Sequence, residues 1–348
     1  MGWEAALKEY STMIEKKVEG IFSKTIEEAE SYHLFVKDAY SCLKEFTLRK
    51  GKRLASCSTL ATYKGYVDTV DEKILNVCAG IEIYRQSILV HDDLVDKEEN
   101  RRGGKTIHRV FSDLFDERLG EAVAVFIGNI AYSLAVQTVI SSEFPVEKTA
   151  EALLLLSQGY REVNESQMLD LLFEYRDVNA AEWRVMASKR AASLFKVTML
   201  TGGILGDAPA KDLHLLKEAA VNIGYAFDIQ DDIIDTYASE NEYGRLPCGD
   251  IRLGKKPLHI IHALESSDPE VSCFLKSLRG RVNLSGDEVE KIRSLVRLTG
   301  GLEKAKKTSK KHAEEARRLI AETSMNSEAK DFFYSMITYV EDSLDWYR

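Results

Sequence analysis

The sequence predicts an all-α fold, built as one large helical bundle of about ten or more helices. Three observations carry that expectation. Only five prolines occur, at positions 145, 209, 247, 257 and 269, so the first 144 residues contain no helix breaker of that kind. Ala, Leu, Glu and Lys, all strong helix formers, are abundant. Apolar residues recur at helical spacing, as in Ile74, Val77, Cys78, Ile81, Tyr84 and Ile88, with Asp71 placed to cap that helix. The breaks look short: Gly65–Asp71, Asn100–Lys105, Glu143–Pro145, Gly206–Pro209, Glu242–Lys256 and Ser266–Pro269. Glu242–Lys256 is the longest irregular loop, nothing suggests a sheet, and no linker or repeat divides the chain. Residues 1–348 are therefore read as a single domain.

Composition narrows the class. At 45% apolar and 30% charged the chain reads as soluble and globular, and its formal charge of −9 argues against nucleic acid as a partner. The basic run Lys306–Arg318 includes Glu314 and Glu315 and reads as a solvated helix face. Cys42, Cys57, Cys78, Cys248 and Cys273 are scattered and odd in number, which fits a reducing cytoplasm and not a zinc site or disulfide framework. The N-terminus carries no secretory pattern and lacks the Ser or Thr that myristoylation needs at position 6. Ala122–Ser142 is uncharged and long enough to span a bilayer. It contains Asn129, Tyr132, Ser133 and Gln137, with no comparable segment after it, so the expectation is a helix buried all round and no transmembrane segment.

Two carboxylate clusters carry the chemistry. The helix after Asp71 ends in His91, Asp92, Asp93, Leu94, Val95 and Asp96, which puts Asp92 and Asp96 on one helical face. Asp231, Asp232 and Asp235 repeat that pattern after the apolar stretch Ile223–Phe227, which Asp228 follows. Like charges at this spacing destabilise a helix unless a cation neutralises them. Oxygen ligands without His or Cys point to Mg²⁺, which commonly binds a few carboxylates plus substrate phosphates. A di-iron bundle would need two Glu-x-x-His motifs, and the chain has one, Glu30–His33. Lysines and arginines accompany both clusters: Lys52 and Arg53, Arg101 and Arg102, Arg252 and Lys255. Such cations suit the oxygens of a diphosphate.

With these motifs in order, the chain resembles the trans-isoprenyl diphosphate synthase family, which includes farnesyl and geranylgeranyl diphosphate synthases. The likeness runs from about Gly51 to Leu258. DDLVDKEENRRG resembles the family's first aspartate-rich motif and GYAFDIQDDIID its second, with Gln167–Asp170 and GDIRLGKK in their expected places. The resemblance implies a bundle around a deep central cavity, a homodimer, and three Mg²⁺ ions. Asp92, Asp96 and Asp235 would hold them, helped by Asp93, Asp170, Asp231 and Asp232. It implies that Arg101, Gln167, Arg190, Arg245 and Lys255 bind the allylic diphosphate, and that Lys52, Arg53, Arg85 and Arg102 bind isopentenyl diphosphate. Head-to-tail condensation would follow, the released diphosphate serving as base.

The chain departs from that pattern at several positions. Ala55 stands where the family has a second basic residue, and Arg85, seven residues before Asp92, is read as its replacement. Arg190-Ala191 replaces Lys-Thr, Gly244-Arg245 replaces Gly-Lys, and Asp228 replaces Gln. In the family, bulky residues ahead of the first motif form the floor for the product tail; here they are Ile88, Ser87 and Tyr84. Tyr84 lies about 12 Å below Asp92 along the helix, and an isoprene unit adds roughly 5 Å, so products of fifteen or twenty carbons are expected. Two other readings stand beside this one. A terpene cyclase would carry an Asn/Ser/Glu metal motif in place of the second cluster. A non-catalytic partner subunit would explain Ala55, Ala191 and Asp228.

Overall fold

The structure, a computed structural model, describes residues 2–239, 246–266, 268–281 and 283–342. Its described residues form two compact units. The first comprises residues 1–157, 197–213 and 324–332; the second comprises 158–196, 214–323 and 333–348.

In the first unit lie α1 (Trp3–Glu30), α2 (Leu34–Leu48), α3 (Leu54–Lys64), α4 (Glu72–Val95), α5 (Ile107–Leu114) and α6 (Glu117–Ile140). Between α4 and α5 a two-residue antiparallel ladder pairs β1 (Asn100–Arg101) with β2 (Gly104–Lys105). Among the described residues, this is the one place where the sequence-based expectation of no strands gives way. A tight turn with Arg102 and Gly103 at φ 52° and 81° folds the chain back on itself. The Asp71 side chain caps α4 by accepting from the Ile74 amide at 3.1 Å. His33, set aside above as a metal ligand, caps α2 through the Phe35 amide. Helix α4 packs against α1, α3 and α6, and most of its length is buried, Tyr84 and Ile81 completely. Small residues allow the close approach of α6: a Cβ on Gly80 would meet Val139 Cγ2 at 2.8 Å, and one on Gly128 would meet the His91 ring.

Helix α6 covers the apolar segment noted above, and it is buried along one face only. Ala124, Ile127, Ala131 and Ala135 point inward, while Phe126 (64% exposed), Val125 and Ile140 lie open. Within the described single chain, burial all round does not hold.

Helices α7 (Val146–Glu174), α9 (Ala191–Leu205), α10 (Ala210–Tyr237) and α16 (Ser327–Asp342) each contain a boundary between the units. The second unit also holds α8 (Ala180–Ala187), α11 (Gly249–Leu253), α12 (Leu258–Leu264), α13 (Pro269–Ser277), α14 (Gly286–Leu298) and α15 (Gly301–Glu322). Its core gathers Phe173, Trp183, Tyr225, Ile229, Ile260 and Ile292. Part of the loop predicted at Glu242–Lys256 is helical, since Gly249–Leu253 forms α11. Arg245, one of the predicted diphosphate ligands, lies outside the described residues. Trp183 packs against Tyr225, whose ring stacks on His312 at 4.8 Å; burial lowers the pKa of that histidine to about 4.

Two glycines predict opposite responses to a methyl group. A Cβ on Gly202 would lie 2.4 Å from the Thr59 carbonyl oxygen of α3, so Gly202→Ala forces backbone apart and should cost about 1–3 kcal/mol. Gly20, inside α1, has nothing within 4 Å, and Gly20→Ala should stabilise by about 0.5–1 kcal/mol. Urea denaturation of the two variants checks the signs.

Candidate active site

Each unit carries one aspartate cluster, and each cluster is braced by arginine. In the first unit, the C-terminal turn of α4 presents Asp92 and Asp93, and Asp96 caps the helix with its amide on the Asp92 carbonyl at 2.9 Å. The β1–β2 turn brings Arg101 back over this end. Its Nε donates to Asp93 Oδ1 at 2.6 Å and its Nη2 to Asp92 Oδ2 at 3.1 Å. Asp93 is buried, whereas Asp92 and Asp96 are half-buried.

A basic cluster lies in the same unit. The guanidinium of Arg102 sits against Gly51, where a Cβ would come within 2.7 Å of Arg102 Cζ. Burial pushes the Arg102 pKa down to about 10; Glu82 opposes this, and Arg53, Arg101 and Arg85 add to it. Arg53 is turned inward: Nε meets Glu15 at 3.0 Å, Nη1 meets Glu82 at 3.0 Å, and Nη2 donates to the Arg49 carbonyl. Glu82 is the buried counterweight. It accepts from Arg53, from Ser56 Oγ at 2.7 Å and from Gln86 Nε2 at 2.8 Å. Burial alone would raise its pKa, yet Arg53, Ser56 and Arg102 hold it below the ordinary value. Sequence reasoning missed Glu82, though a carboxylate between Ile81 and Ile83 in an apolar helix was a signal for a buried partner. Lys52 and Arg85 are half-buried. Lower on α4, Tyr84 and Ser87 are fully buried, the Ser87 hydroxyl donates to the Tyr84 carbonyl at 2.7 Å, and the Tyr84 ring lies 6.4 Å from that of Tyr132 on α6.

In the second unit Arg190 is the organising cation. It follows α8 and bonds Asp228 through Nε at 3.0 Å, Asp232 through Nη2 at 3.4 Å, and lies 3.9 Å from Asp170. Its position depends on a close crossing of α9 and α10: a Cβ on Gly224 would stand 2.2 Å from Ala192 Cα. Asp170 also receives Lys255 at 3.2 Å, and Lys255 reaches Asp250 at 3.6 Å. Asp235 accepts the amides of Gly249 and Asp250, which ties the end of α10 to α11. Gln167 is half-buried one turn before Asp170 on α7, and Asp231 is half-buried on α10. Asp250 was not singled out from the sequence, although it lies in the GDIRLGKK element; its pKa is raised by burial, against the pull of Lys255. Asp228, flagged as a departure, is the main partner of Arg190.

The donor set fits a hard divalent cation. Burial pushes the Asp228 carboxyl up to about 6 and raises Asp232 well above the usual range, although Arg190 pulls both down. Asp228 Oδ2 and Asp232 Oδ2 are buried without a hydrogen-bond partner among the described residues. Orphaned carboxylate oxygens of this kind suit a cation. Among the described residues no three His, Cys, Asp or Glu side chains are gathered as a complete cage. Mg²⁺ takes few protein ligands and completes its shell with water and phosphate.

The arginine brace is testable. Arg190→Ala leaves buried carboxylates uncompensated and should destabilise by about 3–5 kcal/mol. Asp228→Ala in that background should restore part of the loss, and a coupling of more than about 1 kcal/mol in urea unfolding is expected.

The comparisons with known proteins agree with this chemistry. The polyprenyl synthetase family signature matches residues 36–296. A short chain isoprenyl diphosphate synthase of Methanocaldococcus jannaschii is 31% identical over 270 residues, covering 78% of this chain and 80% of the relative. The crystal structure of geranylgeranyl pyrophosphate synthetase from Pyrococcus horikoshii matches with a TM-score of 0.85 at 26% identity, over 98% of each chain. A geranylgeranyl pyrophosphate synthase from Corynebacterium glutamicum, complexed with isoprenyl diphosphate and magnesium, shares the fold at a TM-score of 0.90 and 20% identity, over 97% of this chain and 99% of its own. The chain belongs to the polyprenyl synthetase family and is a prenyltransferase of the all-α isoprenoid synthase fold that elongates isoprenoid diphosphates.

Proposed function

We propose that the protein condenses isopentenyl diphosphate head-to-tail with an allylic diphosphate in a Mg²⁺-dependent reaction, giving a short-chain product of twenty carbons. The observation that carries this reading is the pair of arginine-braced aspartate clusters, of which the second has buried oxygens without partners among the described residues. Residues 1–348 act in it as one functional domain.

Asp92, Asp96, Asp231, Asp232 and Asp235 would hold the magnesium, with Asp93 and Asp170 positioned behind them. Bound there, the metal would neutralise charge on the departing diphosphate. Arg101, Arg190 and Lys255, already oriented by the carboxylates, would turn their remaining donors to the allylic diphosphate oxygens, with Gln167 alongside. Lys52, Arg85 and Arg102 would take isopentenyl diphosphate. Arg53, engaged by Glu15, Glu82 and a carbonyl, would act by fixing Glu82 and hence Arg102. The allylic tail would run along α4 past Ile88 and Ser87 to Tyr84, whose ring, backed by Tyr132, would stop growth. The open apolar face of α6 supports a homodimer, and the five free cysteines fit the cytoplasm.

The test is a product assay with Mg²⁺, isopentenyl diphosphate and each allylic primer in turn. Elongated products that vanish with EDTA are expected; no condensation with any primer, from folded protein, would overturn the reading. Tyr84→Ala should lengthen the product by at least one unit, and unchanged length removes Tyr84 as the floor. Gly51→Ala, which displaces Arg102, and Arg85→His should each raise KM for isopentenyl diphosphate about tenfold or more, with little effect on the allylic KM. Equal effects on both substrates would refute that assignment.

A further inference from the structure

A cavity of about 210 Å³ lies wholly in the second unit, beside the segment that carries Lys255. Its walls present five cations, Arg176, Lys255, Lys256, Lys276 and Arg279, against two carboxylates, Glu174 and Asp177. That excess of positive charge stands out in a chain whose formal charge is −9. Three of the cations are already neutralised. Lys276 pairs with Asp177 at 2.8 Å, Arg176 with Glu182 at 2.5 Å, and Lys255 with Asp170 at 3.2 Å. Lys256 and Arg279 are not. Lys256 Nζ donates to the carbonyls of Phe173 and Gly254, and the Arg279 guanidinium lies 4.2 Å over the Tyr175 ring; neither has a carboxylate within ion-pair distance among the described residues.

The wall is built to hold these two groups in place. Gly254 adopts φ +91°, and a Cβ there would stand 2.7 Å from Arg279 Cγ, so glycine both permits the turn and gives the arginine stem its bed. Burial lowers the Lys256 pKa, and the like charge of Arg279 lowers it further. Glu174 and Asp177 act on Lys256 from a distance, but neither forms a direct ion pair with it or with Arg279, and an ammonium and a guanidinium held close together in this way favour a phosphate oxygen array. Ile251, Ile260 and Leu275 add an apolar side to the lining.

We propose that this cavity binds a small phosphate or diphosphate ester without a divalent metal, with Lys256 and Arg279 on the anion and Ile251, Ile260 and Leu275 against a short hydrocarbon. The site is distinct from both aspartate clusters. It adjoins the second through Lys255, whose side chain bonds Asp170 while its backbone neighbours Lys256. Occupancy would therefore restrain the segment that positions Lys255.

Isothermal titration of the intact protein in EDTA, with no allylic partner present, tests this directly. The binding count for isopentenyl diphosphate rests on the reading above for one of its two expected sites. Wild-type protein should bind one equivalent more than the Lys256→Gln/Arg279→Gln variant, while the variant keeps its KM for isopentenyl diphosphate in Mg²⁺ within twofold. Inorganic diphosphate, titrated in parallel, separates the sources. Comparable affinity identifies the free anion as sufficient, and affinity tenfold weaker shows that the hydrocarbon is recognised. Equal stoichiometry in wild type and variant overturns the proposal. Should the double variant fail to fold, Lys276→Glu at the exposed rim must weaken the extra site tenfold, and unchanged affinity is equally fatal. If instead the condensation reading fails, product formation is absent while the metal-independent equivalent lost with Lys256 and Arg279 remains.

Discussion

The structure depends on compensating carboxylates that have been taken out of water. An unpaired buried carboxylate is costly, and breaking a buried ion pair costs more than forming it gains. Arg190 meets that requirement for Asp228 and Asp232 and lies near Asp170; Arg101 does so for Asp92 and Asp93; Arg53 does so for Glu82. Each arginine also fixes backbone. Arg190 stands at the start of α9, Arg101 in the β1–β2 ladder, and Arg53 at the start of α3 with φ 51°. The charges that make the site reactive are thus the same ones that hold its loops in register.

Two departures from the family pattern become intelligible together. Arg190 brings a planar fork of donors where a lysine would bring a point charge, and that fork needs additional acceptors. Asp228, in place of glutamine, supplies one at 3.0 Å. Ala191, lacking a threonine side chain, lies beside the close crossing of Gly224 on Ala192, where the backbones leave little room. The substitutions therefore form one packing and charge unit in the second unit, and they weigh against reading them as scattered decay of an inactive subunit. Ala55 belongs to a different arrangement: it is buried at the start of α3, and the nearby cationic character comes from Arg102 and Arg85 balanced by Glu82.

Much of the helical order was legible because its determinants are local. Asp71 caps α4, the break at Gly206–Pro209 separates α9 from α10, and Pro269 opens α13, as their residue types require. Both aspartate clusters could be read because a spacing of four fixes a common helical face. What could not be read was partnership across the chain. The resemblance counts Arg53 among the ligands of isopentenyl diphosphate, and only the folded chain shows Glu15 and Glu82 around it. Asp250 was hidden in part for the same reason: Lys255 lies in its own segment, but Asp170, which Lys255 also bonds, comes from α7. For α6, composition showed an apolar helix but could not say that one of its faces would stay open.

Both clusters also occupy the last turns of their helices: Asp92 and Asp93 close α4, and Asp231, Asp232 and Asp235 close α10, which ends at Tyr237. That placement is unfavourable on two counts. The C-terminal end of a helix carries partial negative charge, so carboxylates there are repelled by the backbone as well as by one another. The same field favours cations, and it does so before any ligand arrives. A cluster placed at a helix N-terminus would be more stable by itself and would hold a cation less tightly. Burial adds to this deeper in α10, where it raises the carboxyl pKa values of Asp228 and Asp232 beside an arginine that is itself held strongly protonated. Stability is given up at the helix ends, recovered in part by Arg101 and Arg190, and left incomplete at Asp228 Oδ2 and Asp232 Oδ2, which are buried without partners among the described residues.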